Sequence, residues 1–206
     1  MTSGPPPAPP FSFTFHDSVS ALNIPLKTYL TSHEEFDAIA TGALVFNSEN
    51  RLLIIQRASH DSMPNRWEIP GGGCDLDDES ILHGMAREVW EESGLVVSSV
   101  GRKIGSAEGH VFFSRRGLRI CKFTFEAEVE SSEPVRLDPN EHQNHLWVTE
   151  EECQNRKAER DGTVIEIKFT TPAQEADILK ASGSEMRPNL HELMNRVQLH
   201  AFQAYP

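Results

Sequence analysis

Residues 73–95, GCDLDDESILHGMAREVWEESGL, constrain the chain more than any other segment, because they combine a core-forming stripe with a concentration of acid. At about 100° per residue, with Ile81 as origin, Ile81, Leu82, Met85, Ala86 and Val89 gather within roughly 140° of arc, one face of an amphipathic helix. On the same projection Glu88, Glu91 and Glu92 fall near about −20°, −80° and +20°, beside the apolar stripe and not opposite it. Acids at Asp77 and Asp78 predict where this helix begins, and Gly94 predicts where it ends. Like charges three and four residues apart destabilise a bare helix by a few tenths of a kcal/mol per pair. A solvated acidic face is the plain reading of such a cluster. The alternative is a hard divalent cation, which takes carboxylate oxygens and substrate phosphates as ligands. Gly84, at about −60° and one turn before Glu88, leaves that approach open.

The flanking residues decide between these readings. Gly73, Glu79, Arg87, Glu88, Val89, Glu91, Glu92, Gly94 and Leu95 match every fixed position of the Nudix box: G, five residues, E, seven residues, R-E, an aliphatic, any residue, E-E, any residue, G, an aliphatic. The chain therefore resembles the Nudix hydrolases, and the resemblance extends over roughly residues 39–152. It implies an α/β fold, a Nudix-type α/β/α sandwich with a central mixed sheet. It also implies an enzyme that cleaves a diphosphate bond with Mg²⁺ or Mn²⁺ as cofactor. By position, Glu88, Glu91 and Glu92 resemble the family's metal ligands, and Arg87 resembles the residue that holds Glu79 or a ligand carboxylate in place. A backbone carbonyl of Gly72 or Gly73 resembles its main-chain ligand, the two being equally credible because the loop after Pro70 carries one extra residue. Glu141, a few residues before Trp147-Val148, resembles a fourth carboxylate that reaches the metal cluster or serves as general base, with His142 and His145 as rival bases.

Three substrate-binding expectations follow from the same resemblance. Arg57, near a strand end, is either a phosphate contact, since a guanidinium matches phosphate oxygens bidentately, or a structural salt bridge. Trp67 either lines a base pocket or packs in the core. Phe113, with His110 and Phe112, sits where relatives place specificity residues, or else packs as strand. Nucleoside triphosphates, oxidised ones included, lead as substrate; nucleoside diphosphate sugars and isoprenoid diphosphates follow. A non-hydrolytic nucleotide-binding module is the reading from another class.

The rest of the chain supplies the frame. Residues 1–14 are predicted to be a proline-rich tail or strap, and residues 15–206 a single domain with extensions. Apolar runs at 39–46 and 52–55 flank Asn47-Ser48-Glu49-Asn50, a hairpin signature. A second hairpin is predicted from residues 110–114 through Arg115-Arg116-Gly117 into an alternating strand at 118–129, with Lys122, Thr124, Glu126 and Glu128 on its wet face. Thr149-Glu150-Glu151-Glu152 reads as a capping box, and residues 188–202 as an amphipathic helix. With 31 acidic against 19 basic residues, the net charge of −12 repels polyanions. The expected partner is accordingly a small-molecule diphosphate, with no nucleic acid polymer and no membrane; the oligomeric state is open, a homodimer among the options. Three cysteines without paired spacing, and a start that lacks a basic patch and an apolar run, predict a cytoplasmic address.

Overall fold

The computed structural model describes residues 9–182. In chain order its elements are β1 (Thr14–Phe15), a 3-10 helix (Asp17–Leu22), α1 (Leu26–Ser32), β2 (Ala38–Val45), β3 (Leu52–Arg57), β4 (Trp67–Glu68), α2 (Ile81–Ser93), β5 (Val97–Ile104), β6 (His110–Phe113), β7 (Arg119–Val129), β8 (His142–Val148), α3 (Glu150–Asn155), β9 (Lys157–Arg160), β10 (Thr163–Glu166) and α4 (Pro172–Ser182). One mixed sheet runs β1-β5-β7-β2, with β6 also on β7; β1 and β2 pair parallel to their neighbours, and β5 and β6 pair antiparallel to β7. A smaller antiparallel sheet runs β4-β3-β8.

Two hydrophobic clusters lie on opposite sides of these strands. Ile39, Ala43 and Val45 of β2, with Leu53 and Ile55 of β3, join the cluster that contains the buried faces of α1 and α2. Leu44, Leu52 and Ile54, the alternate residues, join the cluster that contains Cys153 of α3 and Ile178 and Ala181 of α4. Helices thus cover both sides of a strand layer, the sandwich expected from the sequence.

The first predicted hairpin is corrected. The runs 39–46 and 52–55 become β2 and β3, but a single bridge, Phe46 to Leu52, joins them before they part into different sheets. The physical reason is that both strands are buried on both faces, which leaves no period-two signal to reveal a sheet partner. The turn itself forms, with Asn47 Oδ1 accepting from the backbone N–H of Glu49 and of Arg51. The second hairpin is present, Phe113 facing Arg119 across the turn.

Two further boundaries shift. The expected tail reaches into the fold: Phe11 and Phe13 pack against the first cluster, and Thr14 pairs with Ser99. Phe11 and Phe13 alternate with exposed Ser12, and the strand itself is Thr14–Phe15 alone. The helix of residues 73–95 is capped by Ser80, whose side chain accepts from His83 N–H at 3.2 Å, and not by the preceding acids. Gly94, at φ 70°, ends it. Ile81, Leu82, Met85 and Val89 are fully buried. Each contributes about 1.5–3 kcal/mol, against the few tenths lost to each glutamate repulsion. Packing therefore wins and holds the acidic face at the core's rim. Thr149 and Glu152 form the reciprocal capping box on α3. The helix expected over 188–202 lies outside the described residues. No helix among the described residues is long and apolar enough to cross a membrane.

Candidate active site

The glycine-rich loop lies along β2, with Thr41 N–H donating to Gly72 O and Ala43 N–H to Pro70 O, both at 2.8 Å. This pairing sets the loop beside α2. Gly71 N–H donates to Glu92 Oε2 at 2.6 Å. A side chain at Gly72 would place its Cβ 2.4 Å from Glu88 Oε2, so only glycine lets the backbone lie against that carboxylate. Gly73 has open space in the same place, and its carbonyl accepts from Arg87 Nη2 at 2.8 Å.

Arg87 organises the acids. Its Nε and Nη2 donate to the two oxygens of Asp78 at 2.9 and 3.1 Å, and Nη1 donates to Glu88 at 2.8 Å and Glu91 at 2.9 Å. Burial pushes Glu88 above the usual carboxylate range, with Arg87 opposing and Glu91 and Glu141 adding to the shift. Glu92 rises well above that range, again chiefly through burial; the Gly71 N–H opposes this, and Glu68, Glu88 and Glu141 reinforce it. One guanidinium does not neutralise this concentration of carboxylate.

Glu141 comes to the same place from the loop before β8. Ligand atoms of Glu92, Glu141 and His142 lie within 4.8 Å of one another. His142 is buried, its Nε2 3.1 Å from Glu68 Oε1 and 3.9 Å from Glu92 Oε1. Its Nδ1 has no hydrogen-bond partner among the described residues.

The structure therefore gathers Arg87, Glu88, Glu91, Glu92, Glu141 and the Gly72 and Gly73 backbone, and leaves four candidates elsewhere. Glu79 points to solvent, its side chain 83% exposed and 3.4 Å from His83 Nε2; Asp78, one residue earlier, is the carboxylate that Arg87 holds. Trp67 is corrected from pocket lining to core: it is fully buried in the second cluster, where its β4 backbone ties Lys168 and Thr170 to the sheet. Arg57 is corrected from phosphate contact to structural pair. Its fork is filled by protein carboxylates, Asp61 at 2.8 and 2.7 Å and Glu68 at 2.5 Å. The same bonds hold Asp61 well below the usual carboxylate range. Phe113 is 69% exposed on β6 and is placed by strand alternation. Residues opposed across an antiparallel pair share a face, so Phe113 and Val111 lie with Arg119 and Cys121 on the first cluster's side. His110 and Phe112 lie with Lys122 and Ile120 on the other.

Sequence reasoning did not assign Asp78, Glu68 or Lys122 to the site. Glu68 carried a usable signal, an acid between Trp67 and Ile69 in an apolar strand, because buried acids are rare unless paired. Asp78 carried none, since nothing in DLDDES distinguishes the acid that turns inward.

Comparison with known proteins agrees with this geometry. A model of the NUDIX domain matches residues 37–166. A MutT-like protein of Streptomyces ambofaciens is 32% identical over 126 residues, spanning 59% of this chain and 70% of the relative. The human m7GpppN-mRNA hydrolase NUDT17 is 27% identical over 139 residues, 61% of this chain, and the chain spans only 42% of that protein. Among solved structures, the MutT protein from Methanosarcina mazei Go1 superposes with a TM-score of 0.51 at 26% identity, covering 73% of this chain and 96% of that one. The NUDIX model covers more than half of the sequence and spans the strands of both sheets other than β1, the glycine loop, the acidic helix and Glu141, and on that ground the chain belongs to the NUDIX family.

Proposed function

We propose that this chain hydrolyses a diphosphate bond in a nucleoside diphosphate-linked substrate, with a nucleoside triphosphate, oxidised ones included, as the leading choice. The observation that carries the reading is the convergence of Glu88 and Glu91 on the Arg87 guanidinium with Glu92 and Glu141 gathered beside them, Glu88 and Glu92 being desolvated. Such a cluster is destabilising by itself and becomes favourable with a bound cation. Glu88, Glu91, Glu92, Glu141 and the Gly72 carbonyl all offer oxygen, with His142 offering a nitrogen beside Glu92 and Glu141, and the missing side chain at Gly72 leaves room for a cation beside Glu88. These residues fit Mg²⁺ or Mn²⁺. Glu88, Glu91 and Glu92 would hold it, and the Gly72 carbonyl, which keeps a second lone pair beyond its bond to Thr41, would complete the protein's share. When bound, such a cation neutralises the diphosphate and acidifies a coordinated water.

The chain's own groups do the rest. Arg87 fixes the rotamers of Glu88 and Glu91, and Gly71 N–H fixes that of Glu92. Glu141, exposed on its loop beside these acids, takes the proton of the attacking water. The products are two phosphate-bearing fragments, or a monophosphate and pyrophosphate.

The test is phosphate or pyrophosphate release from a panel of nucleoside triphosphates, nucleoside diphosphate sugars and a capped dinucleotide, with Mg²⁺ and then with chelator. Glu141→Gln is expected to lower kcat at least the ~10²-fold typical of general-base removal, with the acidic limb of the pH profile altered. Glu91→Gln, at a side chain 47% exposed, is expected to lower turnover while leaving the circular dichroism spectrum unchanged. Metal binding without turnover on any member of the panel would favour a binding module.

A further inference from the structure

The proposed site needs a cation for the substrate's phosphates, and the guanidinium expected to provide it, Arg57, is bound to Asp61 and Glu68. Another cation faces the acids. Lys122 lies on β7, on the side away from the first cluster, and is partly exposed. Its stem passes over Gly42, where an added Cβ would sit 3.1 Å from Lys122 Cε and 3.1 Å from Ile69 Cδ1. The absent side chain at Gly42 makes the channel along which the lysine reaches the site. Glu68, Glu92, Glu88 and Asp177 surround it electrostatically.

Each of those carboxylates has another partner. Glu68 accepts from Arg57, Glu88 from Arg87, Glu92 from Gly71 N–H and Asp177 from the Thr124 hydroxyl. None of the four closes an ion pair with Lys122 among the described residues, so the ammonium is held by the surrounding field and not by a direct bond. Burial opposes its charge. A partly desolvated ammonium with no acceptor among the described residues gains by meeting an anionic oxygen. His110 stands opposite it in register and stacks with Phe112 at 6.0 Å, and both side chains are exposed, so the surface beside Lys122 is open to a ligand.

We infer that Lys122 is the phosphate-binding cation of this site, donating to a non-bridging oxygen of the substrate's diphosphate while the neighbouring carboxylates hold the metal. The inference rests on the diphosphate-hydrolase reading and adds the residue that recognises the anion.

The probe is methylenediphosphonate, whose P–C–P bridge resists hydrolysis, titrated by calorimetry in the presence of Mg²⁺. Lys122→Met is expected to weaken its binding about 10- to 100-fold, the loss typical of a charge-assisted hydrogen bond. Lys122→Arg should keep most of the affinity, and the salt dependence of binding should flatten in the Met variant alone. Lys122→Gln serves if the Met variant does not fold. Should Lys122 be only a counter-charge for the acids, the variants will lose thermal stability with affinity unchanged within about twofold, and the inference falls. Absence of binding to the wild type also overturns it. Separately, if the wild type binds the probe through Lys122 but hydrolyses no member of the panel, the hydrolase reading fails and the phosphate site stands. Turnover by the wild type with an unaltered KM in Lys122→Met has the opposite meaning.

Discussion

Replacing Arg87 by methionine tests whether the acidic helix depends on one guanidinium. The side chain is 16% exposed, and it spans two bonds to Asp78, one each to Glu88 and Glu91, and one to the Gly73 carbonyl. Asp78 and Glu88, at 7% and 15% exposure, would be left desolvated without a cation. Breaking a buried pair from one side costs about 3–5 kcal/mol. The Glu91 arm, half exposed, adds at most ~0.5 kcal/mol, and methionine keeps part of the stem's packing. The expected loss is about 3–4 kcal/mol, a large share of the roughly 5–15 kcal/mol of a typical domain. At about 2–4 °C per kcal/mol for a chain of this size, Tm should fall by about 6–16 °C. Scanning calorimetry in chelator at pH 7 reads this directly. Arg87→Lys should recover less than half of the loss, because an ammonium cannot span Asp78 and Glu88 as a planar fork does. A loss below about 1 kcal/mol, or full recovery by lysine, would refute the reasoning.

Two more predictions concern stability. Burial raises Glu88 and Glu92 above their ordinary value of 4.5, so the metal-free folded state keeps protons that the unfolded chain has released. Stability without metal should therefore be full below pH 4.5 as far as these two groups decide it, and decline as pH rises from there through their folded values. Saturating Mg²⁺ should flatten the decline; urea melts between pH 5 and 8 check it, and rising stability in chelator would contradict the assignment. At the N-terminus, deleting residues 1–8 should leave Tm and kcat unchanged. Deleting residues 1–13 should lower stability by about 1–3 kcal/mol, because Phe11 and Phe13 pack on the first cluster and the Phe13 ring lies tilted 4.7 Å from that of His83 of α2. Equal melting of the two truncations would show that the strap contributes nothing.

The acidic helix was legible because two periods coincide there, the apolar stripe and the box spacing, and both depend on local geometry alone. Glu141 was legible from its place before Trp147-Val148, and the α3 cap from four consecutive residues. What could not be read were facts set by distant partners. The parting of β2 from β3 depends on β7 and β8, and a strand buried on both faces does not reveal its neighbour. The fate of Arg57 depends on Asp61, four residues on, and on Glu68, across a strand pair; its charge alone fits phosphate equally well. Phe113 shows the opposite failure. The alternation that places it on the far face was in the sequence beside Cys121 and Phe123, but the hairpin register that joins the two strands had to be fixed before it could be used.

The parallel pairing of β2 with β7 has a consequence for the order in which this molecule is built. Ala38 meets Ile120 and Val45 meets Ala127, so the strand that carries the glycine loop gains its ladder only after the whole acidic helix and β5 have been made. Closing so long a loop costs entropy before any contact offsets it, and such non-local pairings are slow to form. On the ribosome, α2 and its apolar stripe emerge while β2 still lacks that partner. The carboxylates are then held near one another by the helix alone, exposed to water and able to repel freely. Completion of the site thus waits on the docking of β7 and on the later loop that carries Glu141, and substitutions at the β2–β7 seam are expected to slow the acquisition of activity more than the formation of helix.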